Sequence, residues 1–169
     1  MALIVLTLVA VFNQRAIDTS YADSLVNIKS PSIVTSNWLN SGPLDNELLK
    51  GKVFLVEFWT YGCYNCKNVE PYVKSWYEKY HSQGFEVIAV HSPEFDREAD
   101  IDNVKDYLQR NAITYPVAID NDFAIWKRFS NRYWPAMYLV DKKGNIRYYH
   151  FGEGRYADSE KMIQTLLQE

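Results

Sequence analysis

Short apolar runs alternate along the chain with segments whose apolar residues recur every three or four positions. Lys52–Trp59, KVFLVEFW, is entered by Gly51 and is mostly β-branched or aromatic, which predicts a buried strand. Val69, Val73, Trp76, Tyr77 and Tyr80 then recur at helical spacing up to Gly84. Pro71 lies inside this helix, and its missing N–H predicts a bend about one turn after Cys66. Phe85–His91, FEVIAVH, predicts a second buried strand. Ile101, Val104 and Leu108 predict one side of a helix over Ala99–Arg110. Tyr115–Asp120 is a short strand candidate, and Asn121–Ser130 reads as a helix with Phe123, Trp126 and Phe129 as its apolar face. Ala136–Asp141 reads as a strand, KKGN as a turn with Gly144 at positive φ, and IRYYHF as the returning strand. A helix over Asp158–Leu167 closes the pattern. Strands alternating with helices, then a hairpin and a helix, predict an α/β sandwich around a central mixed sheet, with right-handed crossovers.

The beginning of the chain departs from this pattern. Ala2–Phe12 is an unbroken apolar run of 11 residues, against the roughly 20 that span a bilayer. No Lys or Arg precedes it, Arg15 follows it, and no clean small-x-small cleavage site is present. Three readings stand: an uncleaved or poorly cleaved export signal or anchor, the last part of a longer membrane helix, and a buried element of a soluble protein. Asn13 to about Ser36 is polar and mixed and reads as a tether, which sets residues 1–36 apart from a domain over 37–169. With 169 residues, 47% hydrophobic and 15% aromatic, the chain is long and apolar enough for one globular core. Eighteen basic against 21 acidic residues, with no charge run, give no footprint for nucleic acid.

Both cysteines, Cys63 and Cys66, lie in TYGCYNCKNVEP, where a strand gives way to a helix. A structural zinc site needs four ligands, and His81, His91 and His150 are isolated, so no metal is expected. A disulfide stabilises mainly by closing a long loop, and this one closes almost nothing. Redox chemistry fits better. Cys63 falls at or beside the helix N-cap, where free N–H groups and the helix dipole favour a thiolate. Cys66 lies one turn further in, on the same side, placed to attack a mixed disulfide at Cys63 and release the partner.

VEFWTYGCYNCKNVEP resembles the thioredoxin active-site segment, with its strand, aromatic pair, C-x-x-C and a proline five residues after the second cysteine. YWPAMYLVDKKGNI resembles the cis-proline loop, strand and hairpin of that family. LLKGKVFLVEFW and the helix inserted after VIAVH are similar to the exported TlpA/ResA branch. NDFAIWKRFSNRYWPAMYLVD and HFGEGRY are similar to the thioredoxin-like part of DipZ-type proteins, in which a membrane electron-transfer region precedes the redox domain. The resemblance covers roughly residues 38–169 and implies a thioredoxin-like three-layer sandwich with an inserted helix. It assigns attack to Cys63, resolution to Cys66 and the cis-proline to Pro135, with Trp134 before it pairing with substrate backbone. Glu57 matches the buried acid beneath the resolving cysteine, a proton relay for Cys66; the alternative is a strand carboxylate facing water. The TlpA/ResA acid three residues after the second cysteine is Val69 here, and the neighbouring Glu70 reads as a solvated helix residue. Tyr64 and Asn65, between the cysteines, tune the potential. Trp59 and Tyr61 pack around the site, with Trp59 equally readable as core. His91 has two readings, a satisfied surface or core histidine and, as the alternative, a histidine that approaches the site.

The resemblance implies an extracytoplasmic thiol–disulfide oxidoreductase, a reductase or electron relay of the kind that serves cytochrome c biogenesis. Its electrons would come from a CcdA/DsbD-like membrane protein and pass to disulfide-bearing proteins, with no cofactor. A thioredoxin-fold peroxidase is the alternative, against the absence of P-x-x-x-T-x-x-C before either cysteine. A non-enzymatic module binding a partner or Cu(I) through two thiolates is the other, with no Met or His cluster behind it.

Overall fold

The structure, a computed structural model, describes residues 25–169; the apolar run Ala2–Phe12 and the first part of the polar segment lie outside them. Six strands form one sheet in the order β1-β4-β3-β2-β5-β6. They are β1 (Trp38–Leu39), β2 (Val53–Trp59), β3 (Phe85–His91), β4 (Val117–Ile119), β5 (Ala136–Val140) and β6 (Ile146–Phe151). β2, β3 and β4 are mutually parallel; β1, β5 and β6 join antiparallel. The helices are α1 (Tyr64–Tyr80), α2 (Ile101–Arg110), α3 (Ala124–Arg128) and α4 (Tyr156–Gln168).

β2 and β3 are buried at every position. Central strands covered on both faces read as unbroken apolar runs, which is why both were legible. Side-chain alternation divides them between two cores. Val53, Leu55 and Trp59 pack with Cys66, Val69, Val73 and Trp76 of α1, Val104 and Leu108 of α2, and Ile163 and Leu166 of α4. Phe54, Val56 and Phe58 pack on the other face with Ile125 and Phe129 of the α3 region and with Leu25, Ile33 and Leu49. Helices on one face, and α3 with the leading coil on the other, make the expected three-layer α/β sandwich.

Several boundaries move. The inserted helix α2 starts at Ile101 rather than Ala99, because Asp100 caps it by accepting from the Asp102 N–H, and a 3-10 turn occupies Asp96–Glu98. In the Asn121–Ser130 segment only Ala124–Arg128 is helical, since Phe123 sits at φ 59°, and the residue driven into the core beside Phe129 is Ile125. α1 runs unbroken through Pro71. α4 begins two residues earlier than expected, at Tyr156. The KKGN turn is as expected, with Gly144 at φ 79°.

From Leu25 on, the segment read as a tether is packed on the sandwich. Leu25 and Ile33 are buried. The Asn27 N–H donates to Ile146 O at 2.6 Å, the Ile146 N–H donates to Ile28 O at 2.8 Å, and Lys29 bridges Asn145. Asn46 Nδ2 donates to the Ser30 and Pro31 carbonyls, and its Oδ1 accepts from Ile33 N–H. Within the segment itself Thr35 Oγ1 donates to Ile119 O at 2.7 Å, so polar side chains in and after it satisfy backbone groups that packing takes from water.

Candidate active site

β2 ends at Trp59, and after three intervening residues the chain enters α1 through Cys63. The Cys63 N–H donates to Thr60 O at 3.2 Å, closing a turn that aims the cysteine at the helix axis. Cys63 is the N-cap, and its Sγ accepts from the Cys66 N–H at 3.2 Å. The two cysteines are joined in a disulfide, with Cα atoms 5.3 Å apart. Cys66 is 3% exposed, whereas Cys63 is only half-buried. The reachable sulfur is thus the one at the helix N-terminus, where the Cys66 N–H and the dipole stabilise a thiolate. Tyr64 and Asn65 are exposed, Tyr64 at 76%.

Glu57 faces the same core as Cys66, since it lies between Leu55 and Trp59 on alternate positions of β2. It is 2% exposed, so the reading as a water-facing carboxylate is wrong. Burial pushes its carboxyl up to about 8, and the charge of Glu70 adds to the push. Glu70 is not a solvated helix residue either. It is part-buried and accepts from Tyr107 Oη at 2.7 Å. Burial, then that hydrogen bond, then the charges of Glu70 and Glu57 hold the Tyr107 phenol above its ordinary range.

The antiparallel register of β2 and β5 pairs Phe58 with Ala136, which sets Pro135 beside the end of β2 where the cysteine turn departs. The Trp134–Pro135 bond is cis. Trp134 is held from two sides: its Nε1–H donates to Ser92 O at 3.0 Å, and its ring lies 4.2 Å from that of Trp126. Trp59 is buried, edge-on to His91 with centroids 5.1 Å apart, so it is core and site wall together. His91 is fully buried, stacked on Tyr61 and in contact with Thr60, whose Oγ1 lies 3.3 Å from its Nε2. Burial pulls its imidazole down to about 4, against the charge of Glu98 and a backbone hydrogen bond, so it is neutral at pH 7.

Sequence reasoning missed Thr60, Glu98 and Tyr107. Thr60 Oγ1 donates to Glu98 Oε2 at 2.6 Å across 38 residues of chain, a contact with no trace in periodicity. Among the described residues no group of three or more His, Cys, Asp or Glu is arranged to hold a metal ion.

An N-cap disulfide with one open and one buried sulfur, on a sheet whose neighbouring strand is entered by a cis-proline, defines a thiol–disulfide oxidoreductase of the thioredoxin-like class. Comparison with known proteins agrees. Residues 34–149 match the AhpC/TSA family, and the chain belongs to it. It is 42% identical over 137 residues to the DipZ protein of Mycobacterium tuberculosis, covering 79% of this chain but 20% of that protein. It is 33% identical over 132 residues to the thiol-disulfide oxidoreductase YkuV of Bacillus subtilis, covering 78% of this chain and 88% of YkuV. A thioredoxin-like protein solved in solution in its oxidised form superposes with a TM-score of 0.76 at 32% identity, over 85% of this chain and 97% of that one.

Proposed function

We propose that the protein is a reductase or electron relay at the outer face of a cell membrane, fed by a CcdA/DsbD-like membrane protein and acting on disulfide-bearing extracytoplasmic proteins. The asymmetry of the pair carries the reading: Cys63 is capped and reachable, and Cys66 is sealed beneath it. In the reduced form the Cys63 thiolate attacks one sulfur of a substrate disulfide. A mixed disulfide forms, and the other substrate sulfur leaves with the electron pair and takes a proton. Cys66 gives its proton to Glu57 and attacks Cys63 Sγ, so the Cys63–Cys66 bond forms and the substrate's second sulfur leaves reduced. Two electrons have passed to the substrate, whose two sulfurs take their protons from water, while the proton of Cys66 rests on Glu57 until the pair is reduced again. Two electrons from the membrane partner's dithiol restore the pair. Trp134, before cis-Pro135, offers its backbone to the substrate chain, and Tyr64, Asn65 and Trp59 line the approach.

The location rests on the resemblance to DipZ-type and TlpA/ResA proteins and on the apolar run Ala2–Phe12, which lies outside the described residues. Among the described residues no helix is long and apolar enough to cross a membrane. The direction is supported by the need of any exported dithiol for a membrane source of electrons in an oxidising compartment.

Two measurements test this. Cys63→Ser abolishes disulfide reduction, and Cys66→Ser accumulates mixed disulfides with substrates; a Cys66 variant with full turnover and no adduct overturns the mechanism. Equilibration against thioredoxin and glutathione couples gives the direction. A potential near roughly −270 mV supports a reductase, and one near roughly −120 mV makes the protein an oxidant. Peroxide turnover by the reduced protein tests the peroxidase alternative. Against that alternative, the peroxidase motif's proline position is Val56, and the Thr60 hydroxyl is committed to Glu98.

A further inference from the structure

Three buried side-chain atoms among the described residues have no hydrogen-bond partner: Trp59 Nε1, His91 Nδ1 and Glu98 Oε1. All three belong to residues around the turn that delivers Cys63. Buried polar atoms are ordinarily paired, so such a cluster calls for an explanation. Glu98 is fully buried, and its two oxygens do different things. Oε2 accepts from Thr60 Oγ1 at 2.6 Å, from Glu94 N–H at 2.8 Å and from Phe95 N–H at 3.3 Å. Oε1 lies against Gly62, the residue before Cys63: a Cβ there would sit 1.8 Å from it. The Thr60 hydroxyl spends its one proton on Glu98, so at Thr60 Oγ1 the donor is His91 Nε2–H. The chain Glu98–Thr60–His91 thus ends on a neutral imidazole, and nothing in it neutralises the carboxylate.

We propose that Glu98 is a positioning residue that sets the redox poise of the Cys63–Cys66 pair, by holding a buried negative charge against the Gly62–Cys63 turn. The inference rests on the exchange reading above. Reduction at neutral pH takes two electrons and one proton and leaves Cys63 as thiolate and Cys66 as thiol. A fixed anion beside the turn disfavours the thiolate and hence the reduced form. The pair is thereby a stronger electron donor than its N-cap position alone would make it. The other charged or titratable groups around the turn are Tyr61 within it, Glu57 from β2, Tyr64, Lys67 and Glu70 from α1, Tyr107 from α2, His91 from β3, and Glu94 and Arg97 beside Glu98; Tyr64, Lys67 and Glu94 are exposed to water. Glu57 and His91 are uncharged at pH 7 by the shifts described above. Arg97, with Nη2 3.8 Å from the same Cβ position, opposes Glu98, but its side chain is exposed and its field is screened by water as that of the buried carboxylate is not. The arrangement also accounts for Gly62, because any side chain there would expel the carboxylate.

Glu98→Gln keeps an acceptor for Thr60 and removes the charge. Its effect is read on the purified protein equilibrated with the thioredoxin couple, where the reduced pair and oxidised thioredoxin exchange one disulfide for another. The expected result is a shift of about tenfold toward the reduced pair, equivalent to about 30 mV. The rate of Cys63 alkylation by iodoacetamide at pH 6 should rise about threefold to tenfold, with its pH midpoint lowered. A purely structural role would lower the melting temperature and leave the midpoint where it is. If both readouts stay within twofold of the parent, or shift the opposite way, the inference is overturned. Should Glu98→Gln not fold, Gly62→Ala displaces the carboxylate instead and must shift the equilibrium in the same direction, or the inference falls. A parent protein that fails to equilibrate with either thioredoxin or glutathione overturns the exchange reading itself. A parent that equilibrates alongside a variant that matches it overturns only the role of Glu98.

Discussion

Glu57 is the one ionisable side chain in a strand otherwise wholly apolar, and its neighbours in the sheet are Ala89 and Met137. A carboxyl so placed is poised to be neutral near pH 7 and to lose its proton near 8. That suits a group which takes the Cys66 proton during resolution and returns it during re-reduction. Only the ionised form can take the proton, so resolution should speed up as pH rises toward 8 and level off beyond it. Glu57→Gln should remove this inflection and slow turnover at pH 7 by about 10²-fold, with the mixed disulfide accumulating. Rapid quenching and mass spectrometry of the adduct check both. A variant that turns over at the parental rate leaves Glu57 without a proton-transfer role.

α3 is a single five-residue turn of helix, too short to stand on its own propensity. What holds it is Asp120, which accepts from Ile125 N–H at 2.7 Å, from Trp126 N–H at 2.9 Å and from Ser92 Oγ at 3.0 Å. The same Ser92 offers its carbonyl to Trp134 Nε1, so one carboxylate ties α3, the end of β3 and the tryptophan before the cis-proline into a single unit. Asp120→Ala leaves the Ile125 N–H buried and unpaired. It should cost about 2–3 kcal/mol in denaturant unfolding. By loosening Trp126 against Trp134 it should also raise KM for a protein disulfide more than it lowers kcat. The sequence announced the elements whose pattern is local: the central strands, α1, the Gly144 hairpin and the cysteine pair. It was silent where a distant partner decides. The two-residue β1 is a strand only because β4 offers it an edge. Ile125, not among the expected apolar positions, takes the fully buried place, while Trp126 packs part-buried against the same core, because Phe123 turns left-handed one residue before the helix. Glu98 sits in a stretch that reads as the approach to a helix, and the Gly62 that accommodates it is a glycine like any other until the fold brings them together.

Across the whole molecule, Glu57 and His91, the buried groups among the described residues whose strong shifts fall in the acid-to-neutral range, push the pH dependence of stability in opposite directions. His91, held down to about 4 from an ordinary 6.5, takes up its proton in the unfolded chain first, so its contribution is complete above 6.5 and lost as pH falls toward 4. Glu57, held up to about 8 from 4.5, keeps its proton longer when folded, so its contribution is complete below 4.5 and lost as pH rises through 8. Each gives a slope of about 1.4 kcal/mol per pH unit inside its window. The windows overlap between 4.5 and 6.5, where the slopes cancel, and only Glu57 acts between 6.5 and 8. The oxidised protein should therefore show a stability plateau on the acid side of neutrality and lose about 2 kcal/mol on going from pH 6.5 to 8. Glu57→Gln should convert this into a curve that rises by about 2–3 kcal/mol from pH 4.5 to 6.5 and then stays flat. His91→Gln should do the reverse, falling steadily across the whole interval. Urea unfolding of the three oxidised proteins at half-unit pH steps distinguishes the curves. Parallel profiles would mean that neither group is held in the protonation state its burial dictates, and the proton relay assigned to Glu57 would lose its physical basis.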